Sequence, residues 1–208
     1  MIPANVTRLI LLRHGEVHPD DARGLYGQAD IRLSDRGMAQ SNAAGAWLAG
    51  TRIHHVYTSD LKRAHFLGCA IARHQGISPT VTPALRERFF GEWQCMGWEE
   101  IAARYPDEHA RYTSNRFTMR VPGGAESMQD VQNRVLGFLR SILPRHRGQQ
   151  IAITAHSGPN RMILLEALRL PHESIFAFDQ DYCCRNVIDY PADGPPRVRL
   201  LNGTEHLL

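Results

Sequence analysis

Two histidines of this chain each follow a short apolar run, and both stand beside residues that suit anion chemistry. Residues 9–12 lead into Arg13-His14-Gly15, and residues 151–155 lead into His156-Ser157-Gly158. An uninterrupted apolar run is typical of a strand buried on both faces of a parallel sheet. Ligands of such sheets bind beyond the carboxyl ends of the strands, so we expect both histidines at one edge.

Arg63 and Glu87 are expected at the same edge for the same reason. A strand predicted over residues 55–58 ends at Ser59-Asp60, and Arg63 follows shortly after it. Another strand, predicted around residues 80–82, comes shortly before Glu87. Four segments that are distant along the chain are therefore predicted to meet on one rim of the sheet.

Together these side chains could carry out phosphoryl transfer. Two arginines, Arg13 and Arg63, can clamp a tetrahedral oxyanion through forked, charge-assisted hydrogen bonds. A neutral imidazole at His14 can attack phosphorus and carry the phosphoryl group. A protonated His156 would stabilise charge on the phosphoryl oxygens, and Glu87 could protonate the leaving alkoxide and then deprotonate water. Because three cationic groups would neutralise the phosphate, we predict that neither a metal nor another cofactor is needed.

Each of these residues also has a plainer interpretation, which the sequence leaves open. Arg63 could be a solvated helix residue paired with Asp60, and Glu87 could form a surface ion pair with Arg86 or Arg88. The other histidines have no second ligand pair at helical spacing. We expect packing or surface positions, not metal binding, for His54, His55, His65, His74 and His172.

Helices are predicted between the strands. The patterns favour helices over residues 35–48 after an N-cap at Ser34, and over 61–74, 98–105, 127–143 and 159–170, with further strands over 186–190 and 198–201. Pro106 is interpreted as the stop of the third helix, and Ser127 as an N-cap. This alternation predicts an α/β fold, a three-layer α/β/α sandwich with a mostly parallel central sheet.

Residues 89–124 interrupt the alternation. They hold two of the three tryptophans and a Pro-Gly-Gly element, with little strand periodicity. We interpret them as a helical and loop insertion that covers the active-site rim of a single domain spanning residues 1–208. Phe90, Trp93 and Trp98 are expected in the core of this covering segment.

Several motifs resemble those of the histidine phosphatase superfamily, the branch that contains cofactor-dependent phosphoglycerate mutases and α-ribazole phosphatase. The residues Leu12-Arg13-His14-Gly15-Glu16 resemble its signature. Further ordered matches lie at residues 27–37, 59–64, 85–87, 90–93, 122–127, 155–158 and 202–207. A tripeptide alone is weak support, but an ordered series along most of the chain is strong support.

The resemblance implies a role for each candidate residue. His14 would be the phosphorylated nucleophile and Glu87 the proton donor. Gln28 lies where the family often has a residue near the transferred phosphate or its leaving group, and Ser157 offers a backbone N–H at a helix N-terminus. The rest of the phosphate pocket would be formed by Arg13, Arg63 and His156.

The chain departs from the family pattern at a few positions near the pocket mouth. Val17 and Asp20 stand where the family usually has Thr and Asn, Leu67 lies in an altered stretch, and Ala125 is an extra residue before Glu126. These changes concern substrate choice and rate, because none removes a predicted catalytic residue.

The resulting hypothesis is a metal-independent hydrolase of a small phosphate monoester, working through a phosphohistidine. A phosphoglycerate mutase-type phosphotransferase is the same-class alternative. Mutases of this family look longer and carry a basic insertion after the glutamate, and residues 93–122 contain no recognisable counterpart of it. A protein that keeps the phosphate pocket for binding or for other chemistry is the second alternative. Both stay open at the level of sequence.

Charge and composition indicate which classes of binding partner to expect. The net charge is +3 with no long basic run, so nucleic acid is not expected as a partner. No apolar run approaches the roughly 20 residues of a membrane span, and the first residues do not resemble a signal peptide. We therefore expect a cytoplasmic protein with four free thiols and no membrane partner. Nothing in the sequence decides between a monomer and a homodimer.

Overall fold

The central sheet is mostly parallel, as predicted. The computed structural model describes residues 2–21 and 24–207, and within them six strands form one sheet in the order β3-β2-β4-β1-β5-β6. The strands are β1 (Val6–Arg13), β2 (His55–Thr58), β3 (Thr80–Val81), β4 (Gln150–Ala155), β5 (Arg185–Pro191) and β6 (Arg197–Gly203). The pairs β3-β2, β2-β4 and β4-β1 are parallel. Strand β5 pairs antiparallel with β1, and β6 pairs antiparallel with β5.

Helices cover both faces of the sheet, which gives the predicted three layers. The helices are α1 (Asp35–Leu48), α2 (Lys62–Gln75), α3 (Trp98–Arg104), α4 (Pro106–Ser114), α5 (Met128–Ile142) and α6 (Ser157–Leu168). Successive residues of β1 point to opposite faces. Leu9 and Leu11 pack in the core beneath α5 and α6, and Ile10 and Leu12 pack beneath α1 and α2.

Two predicted N-caps are confirmed. The hydroxyl of Ser34 accepts a hydrogen bond from the Gly37 N–H at the start of α1. Ser127 and Asp130 form a reciprocal capping box at the start of α5, because each side chain bonds the backbone N–H of the other residue. These caps explain why the predicted bounds of both helices were nearly right.

The interpretation of Pro106 as the stop of the third helix was incomplete. Helix α3 ends at Arg104, and Pro106 is the first residue of α4, which the sequence analysis did not predict. Proline has no N–H to donate and a fixed φ, so it suits the first turn of a helix as well as the end of one. The same tolerance explains why α6 begins at Ser157, two residues before Pro159.

The covering segment, residues 89–124, has a small apolar cluster of its own. Trp93 is fully buried in it among Ile101, Tyr112 and Val121, as predicted for that tryptophan. Trp98 was expected in the same core, but its side chain stays 44% exposed at the first position of α3. Backbone hydrogen bonds between Leu25 and residues 95–96 tie the segment to the loop before residue 27.

Candidate active site

His14 lies at the carboxyl end of β1 and is held in a defined tautomer. Its backbone N–H donates to the Ala155 carbonyl of β4 at 3.1 Å, and its ring Nδ1 lies 2.7 Å from the carbonyl oxygen of Gly15. A carbonyl can only accept, so Nδ1 carries the proton and Nε2 carries the lone pair. Burial, reinforced by the positive charges of Arg13 and Arg63, lowers the pKa of His14 well below its usual range. The ring is therefore buried and neutral, and its Nε2 lone pair is available.

His156 lies beside His14 because β1 and β4 run parallel in register. Arg13 pairs with Ala155, so the next residue of each strand leaves the sheet at the same level. The two ring centroids are 5.2 Å apart, and His156 Nε2 lies 3.0 Å from the Ser59 hydroxyl oxygen. Burial, followed by the charge of Arg63, lowers the pKa of His156 well below its usual range.

Two guanidinium groups face these rings. Arg63 is 1% exposed, and it donates to the carbonyl oxygens of Ala29 at 2.8 Å and Gly27 at 2.6 Å. Arg13 donates to the Gln180 carbonyl at 2.5 Å. The suggested pairing of Arg63 with Asp60 was wrong, because helix α2 turns Arg63 into the interior and Asp60 instead accepts from Arg86.

Three buried nitrogen atoms around His14 lack a hydrogen-bond partner among the residues that the structure describes. They are the Nε atoms of Arg13 and Arg63 and the Nδ1 atom of His156. Buried polar atoms are normally satisfied, and here the unsatisfied ones belong to cationic or protonatable groups around one imidazole. This arrangement is suited to an anion with several acceptor oxygens, such as a phosphoryl group.

Glu87 reaches the site from the segment after β3. Its Oε1 accepts from the Arg88 N–H at 2.8 Å, and its Oε2 accepts from the Gly158 N–H at 3.1 Å. A Cβ at Gly158 would come within 2.2 Å of Oε1, so the glycine lets the carboxylate approach the first turn of α6. The suggested surface ion pair was wrong, because the guanidinium of Arg86 pairs with Asp60 while that of Arg88 is buried and bonds elsewhere.

Gln28 and Ser157 occupy the margin of the site. The Gln28 amide donates to the Glu87 carbonyl oxygen at 2.9 Å, so it holds the backbone that carries the carboxylate. Ser157 is the first residue of α6, and its hydroxyl accepts from Arg161 at 3.1 Å. Contact of either residue with a phosphate stays a prediction.

Glu126 and Arg134 support the segment that carries Glu87, and sequence reasoning missed both. The two side chains form a bidentate pair with both N–O distances at 2.9 Å. Arg134 also donates to the Arg86 carbonyl at 3.0 Å, and Glu126 accepts from the Phe89 N–H at 3.0 Å. These bonds bracket Glu87 on both sides. The position of Glu126 within the matched motif at residues 122–127 was the available signal.

Two tyrosines beside the arginines were also missed. The Arg13 guanidinium lies 4.1 Å from the ring centre of Tyr182, which is itself 5.7 Å from the His14 ring. Tyr26 lies 5.2 Å from the Arg63 guanidinium, and burial together with the neighbouring Tyr182 raises its pKa to about 12. Tyr26 precedes Gln28 by two positions, which could have pointed to it, whereas no spacing pointed to Tyr182.

The departures from the family pattern lie in different surroundings. Val17 is buried and forms an isolated β-bridge with Leu33, and Ala125 is buried in the cluster around Trp93. Asp20 is exposed beside His18. None of these three side chains forms a hydrogen bond with His14 in the described part of the chain.

A cavity of about 250 Å³ is lined by Glu87 and by neighbouring residues. Its floor includes Gly158 and Ser157 at the start of α6. Its walls come from the loop around residues 24–27, from the covering segment and from the residues after α6, and most of these wall residues are apolar or aromatic.

Residues 2–21 and 24–207 contain no cluster of three or more His, Cys, Asp or Glu side chains that could hold a metal ion. Within the same ranges no helix is long and apolar enough to cross a membrane. The four cysteines are unpaired, as expected.

Comparisons with known proteins point to one family. The sequence model of the histidine phosphatase superfamily (branch 1) matches residues 9–204. A bifunctional protein of Mycobacterium tuberculosis is 32% identical over 202 residues, which are 97% of this chain and 55% of that protein. The chain thus spans about half the length of that relative.

Two further relatives are matched over most of their length. A metal-independent phosphoserine phosphatase of Arabidopsis thaliana is 31% identical over 166 residues, covering 79% of this chain and 70% of that protein. The crystal structure of the α-ribazole phosphatase from Shigella flexneri superposes with a TM-score of 0.85 at 25% identity, covering 95% of this chain and 96% of that one.

Proposed function

The chain belongs to the histidine phosphatase superfamily, and from that premise we propose that it hydrolyses a small phosphate monoester through a phosphohistidine at His14. One observation carries the proposal. A neutral, buried His14 with a free Nε2 lone pair faces three buried nitrogen atoms that have no partner among the described residues, on Arg13, Arg63 and His156. The names of several relatives support phosphatase chemistry as well.

In the first step, the Nε2 lone pair of His14 attacks phosphorus, the N–P bond forms, and the P–O bond to the leaving group breaks. Glu87 enters in its acid form and gives its proton to the leaving oxygen, so that a neutral alcohol departs. Arg13 and Arg63 hold the phosphoryl oxygens. His156 takes up a proton from solvent when the phosphate binds, stabilises the negative charge of these oxygens, and returns the proton to solvent when inorganic phosphate leaves.

In the second step, Glu87 as a carboxylate takes a proton from water while the water oxygen attacks phosphorus. The P–N bond breaks and inorganic phosphate leaves. His14 returns to its neutral tautomer and Glu87 to its acid form, so the cycle closes without a metal or other cofactor. Residues 89–124 cover this rim and limit the access of bulk water during the first step.

The test is phosphate release from a panel of phosphomonoesters in EDTA, with His14→Ala and the matched control His74→Ala. His74 is exposed near the C-terminal end of α2, whereas Arg63 of the candidate site lies at the start of that helix. We expect turnover that survives the chelator, disappears in His14→Ala and persists in His74→Ala. Acid quench should trap an acid-labile phosphohistidine in the wild type and the control alone.

Two results would overturn the proposal. A wild-type protein that binds inorganic phosphate but forms no phosphohistidine with any ester would be a binding protein. Interconversion of monophosphoglycerates that depends on 2,3-bisphosphoglycerate and exceeds phosphate release would assign the same site to a mutase.

A further inference from the structure

We infer that the preferred substrate is the phosphate monoester of an apolar, uncharged primary alcohol, whose hydrocarbon part occupies the cavity beside Glu87. The inference rests on the proposed function, since it takes Glu87 as the proton donor. A proton donor must lie next to the leaving oxygen, so the leaving group must extend into the space that Glu87 borders. That space is the cavity of about 250 Å³ described above.

The walls of this cavity favour a hydrocarbon. Glu87 and Gly158 belong both to its lining and to the candidate site, so the leaving oxygen would sit beside them. Beyond them, most of the surface comes from apolar and aromatic side chains, among them Leu25, Phe90, Trp98, Met128, Ile175 and Phe176. Such a lining binds apolar groups and leaves hydroxyl groups without partners.

The polar groups of the lining are mostly committed to other partners. Arg88 is buried and donates to the carbonyl oxygens of Glu126 and Met119 and to the Tyr112 hydroxyl. A sugar or glycerol leaving group would bring several hydroxyls to a wall whose largest buried donor is already satisfied.

Arg161 is committed in the same way. It donates to the Ser157 hydroxyl and to the carbonyl oxygens of Ile175 and Phe178, and its guanidinium lies between two phenylalanine rings. Burial lowers the pKa of Arg161, as expected for a cation placed among apolar groups. Arg116 alone among the lining arginines is exposed, and it lies at the outer rim.

The lip of the cavity carries two aromatic side chains that the protein leaves in water. Phe176 is 66% exposed and Trp98 is 44% exposed. Isolated exposed apolar residues are ordinary, but these two border one cavity that leads to a proton donor. An apolar leaving group would cover both rings on binding.

The test compares kcat/KM for 2-phenylethyl phosphate, glycerol 1-phosphate and O-phosphoserine. All three release a primary alkoxide, so differences in leaving-group chemistry are small. We expect 2-phenylethyl phosphate to be preferred by on the order of 10-fold or more over both others. Preference for glycerol 1-phosphate or O-phosphoserine would overturn the inference.

Variants locate the preference. Phe176→Ala and Trp98→Ala should each lower the ratio of kcat/KM for 2-phenylethyl phosphate over glycerol 1-phosphate by on the order of 10-fold. Trp47→Ala is the matched control, because Trp47 is 43% exposed on α1 and stacks on Arg185 at 4.0 Å, outside the cavity. An unchanged ratio in both cavity variants would contradict the inference, and Phe176→Ala keeps the test valid if Trp98→Ala unfolds.

Turnover of p-nitrophenyl phosphate distinguishes failure of this inference from failure of the proposed function. If it is hydrolysed in a manner dependent on His14 and the apolar preference is missing, the inference fails while the proposed function stands. If no ester is hydrolysed, both fail. A preference for O-phosphoserine that is lost in Arg116→Ala would assign the cavity to an anionic leaving group instead.

Discussion

Glu87 divides the candidate site into two sides that are built differently. The phosphate side is formed by the half-buried Arg13 and by the buried His14, Arg63 and His156, and it is attached to the ends of β1 and β4 and the start of α2. The leaving-group side, the cavity beside Glu87, is apolar, and its rim residues are exposed. Its walls come from three separate segments.

From this difference we infer that the phosphate side determines the chemical step and the leaving-group side determines which ester is accepted. On the phosphate side, strand register and backbone carbonyl groups fix each side chain, so a substitution there changes the chemistry. On the leaving-group side, mostly apolar side chains from loops and from several helices pack against one another, so we expect a substitution there to change which ester is accepted. We expect the two sides to respond independently, and four predictions test that independence.

The largest effect is expected on the phosphate side, at Arg63. Arg63→Ala should lower kcat/KM by roughly 10³-fold for every ester, because the buried guanidinium holds both the anion and the loop carbonyls of Gly27 and Ala29. Arg63→Lys should recover little, since an ammonium cannot reproduce the fork. Steady-state kinetics on the same panel measure both. A loss confined to one class of ester would contradict the independence of the two sides.

The second largest effect is expected for Glu87→Gln, which changes the residue between the two sides. Alkyl phosphates should lose roughly 10²- to 10⁴-fold in kcat, because the leaving alkoxide needs a proton. p-Nitrophenyl phosphate should lose far less, since its phenolate leaves without protonation. Equal losses for both esters would mean that Glu87 does not protonate the leaving group.

A smaller effect is expected at Glu126, which positions Glu87 without touching substrate. Glu126→Gln weakens the bidentate pair with Arg134 and should lower kcat on alkyl phosphates by about 10-fold, with KM nearly unchanged. p-Nitrophenyl phosphate should again be less affected, which a general loss of folding would not produce. Glu108→Gln, on the exposed pair with Arg111, is the matched control. An identical loss on every ester would argue for a merely structural role.

The smallest effect concerns pH. Burial lowers the pKa of His156 in the free protein, and a bound anion would raise it, so anion binding takes up a proton. Sulfate keeps its charge between pH 5 and 8, and its binding should therefore strengthen as pH falls through that range. We expect the increase in Tm caused by sulfate to grow by a few degrees toward low pH.

The matched variant for this measurement is His156→Gln. Comparing Tm with and without sulfate at each pH removes the loss of stability that the free protein shows as unfolded histidines become protonated. The variant should show a weaker dependence on pH. A sulfate effect that is constant from pH 8 to 5 in the wild type would contradict proton uptake.

The phosphate side was largely readable in the sequence, and the reason is physical. A buried parallel strand is an uninterrupted apolar run, and its carboxyl end is where ligands bind, so His14 and His156 could be located from local pattern alone. Ser34 fixed the start of α1 in the same way. Such features depend on residues that are neighbours along the chain.

The leaving-group side could not be read in this way. Trp98 in α3, Tyr112 in α4 and Phe176 after α6 come together only through tertiary packing, and the sequence pattern within each of these elements predicts no particular partner. The burial of Arg88 was equally hidden, because its carbonyl partners at Met119 and Glu126 lie in a segment without periodicity. Pro106 misled for a different reason, since proline both ends and begins helices.

The position of β1 between β4 and β5 has a consequence for how the protein folds. Both neighbours come from the chain after residue 149, so the strand that carries His14 stays unpaired until most of the polypeptide exists. Contacts between residues so far apart along a chain form slowly. During synthesis on the ribosome, the two histidines would therefore meet among the last events, and a nascent chain lacking β4 would have no site in which to bind phosphate.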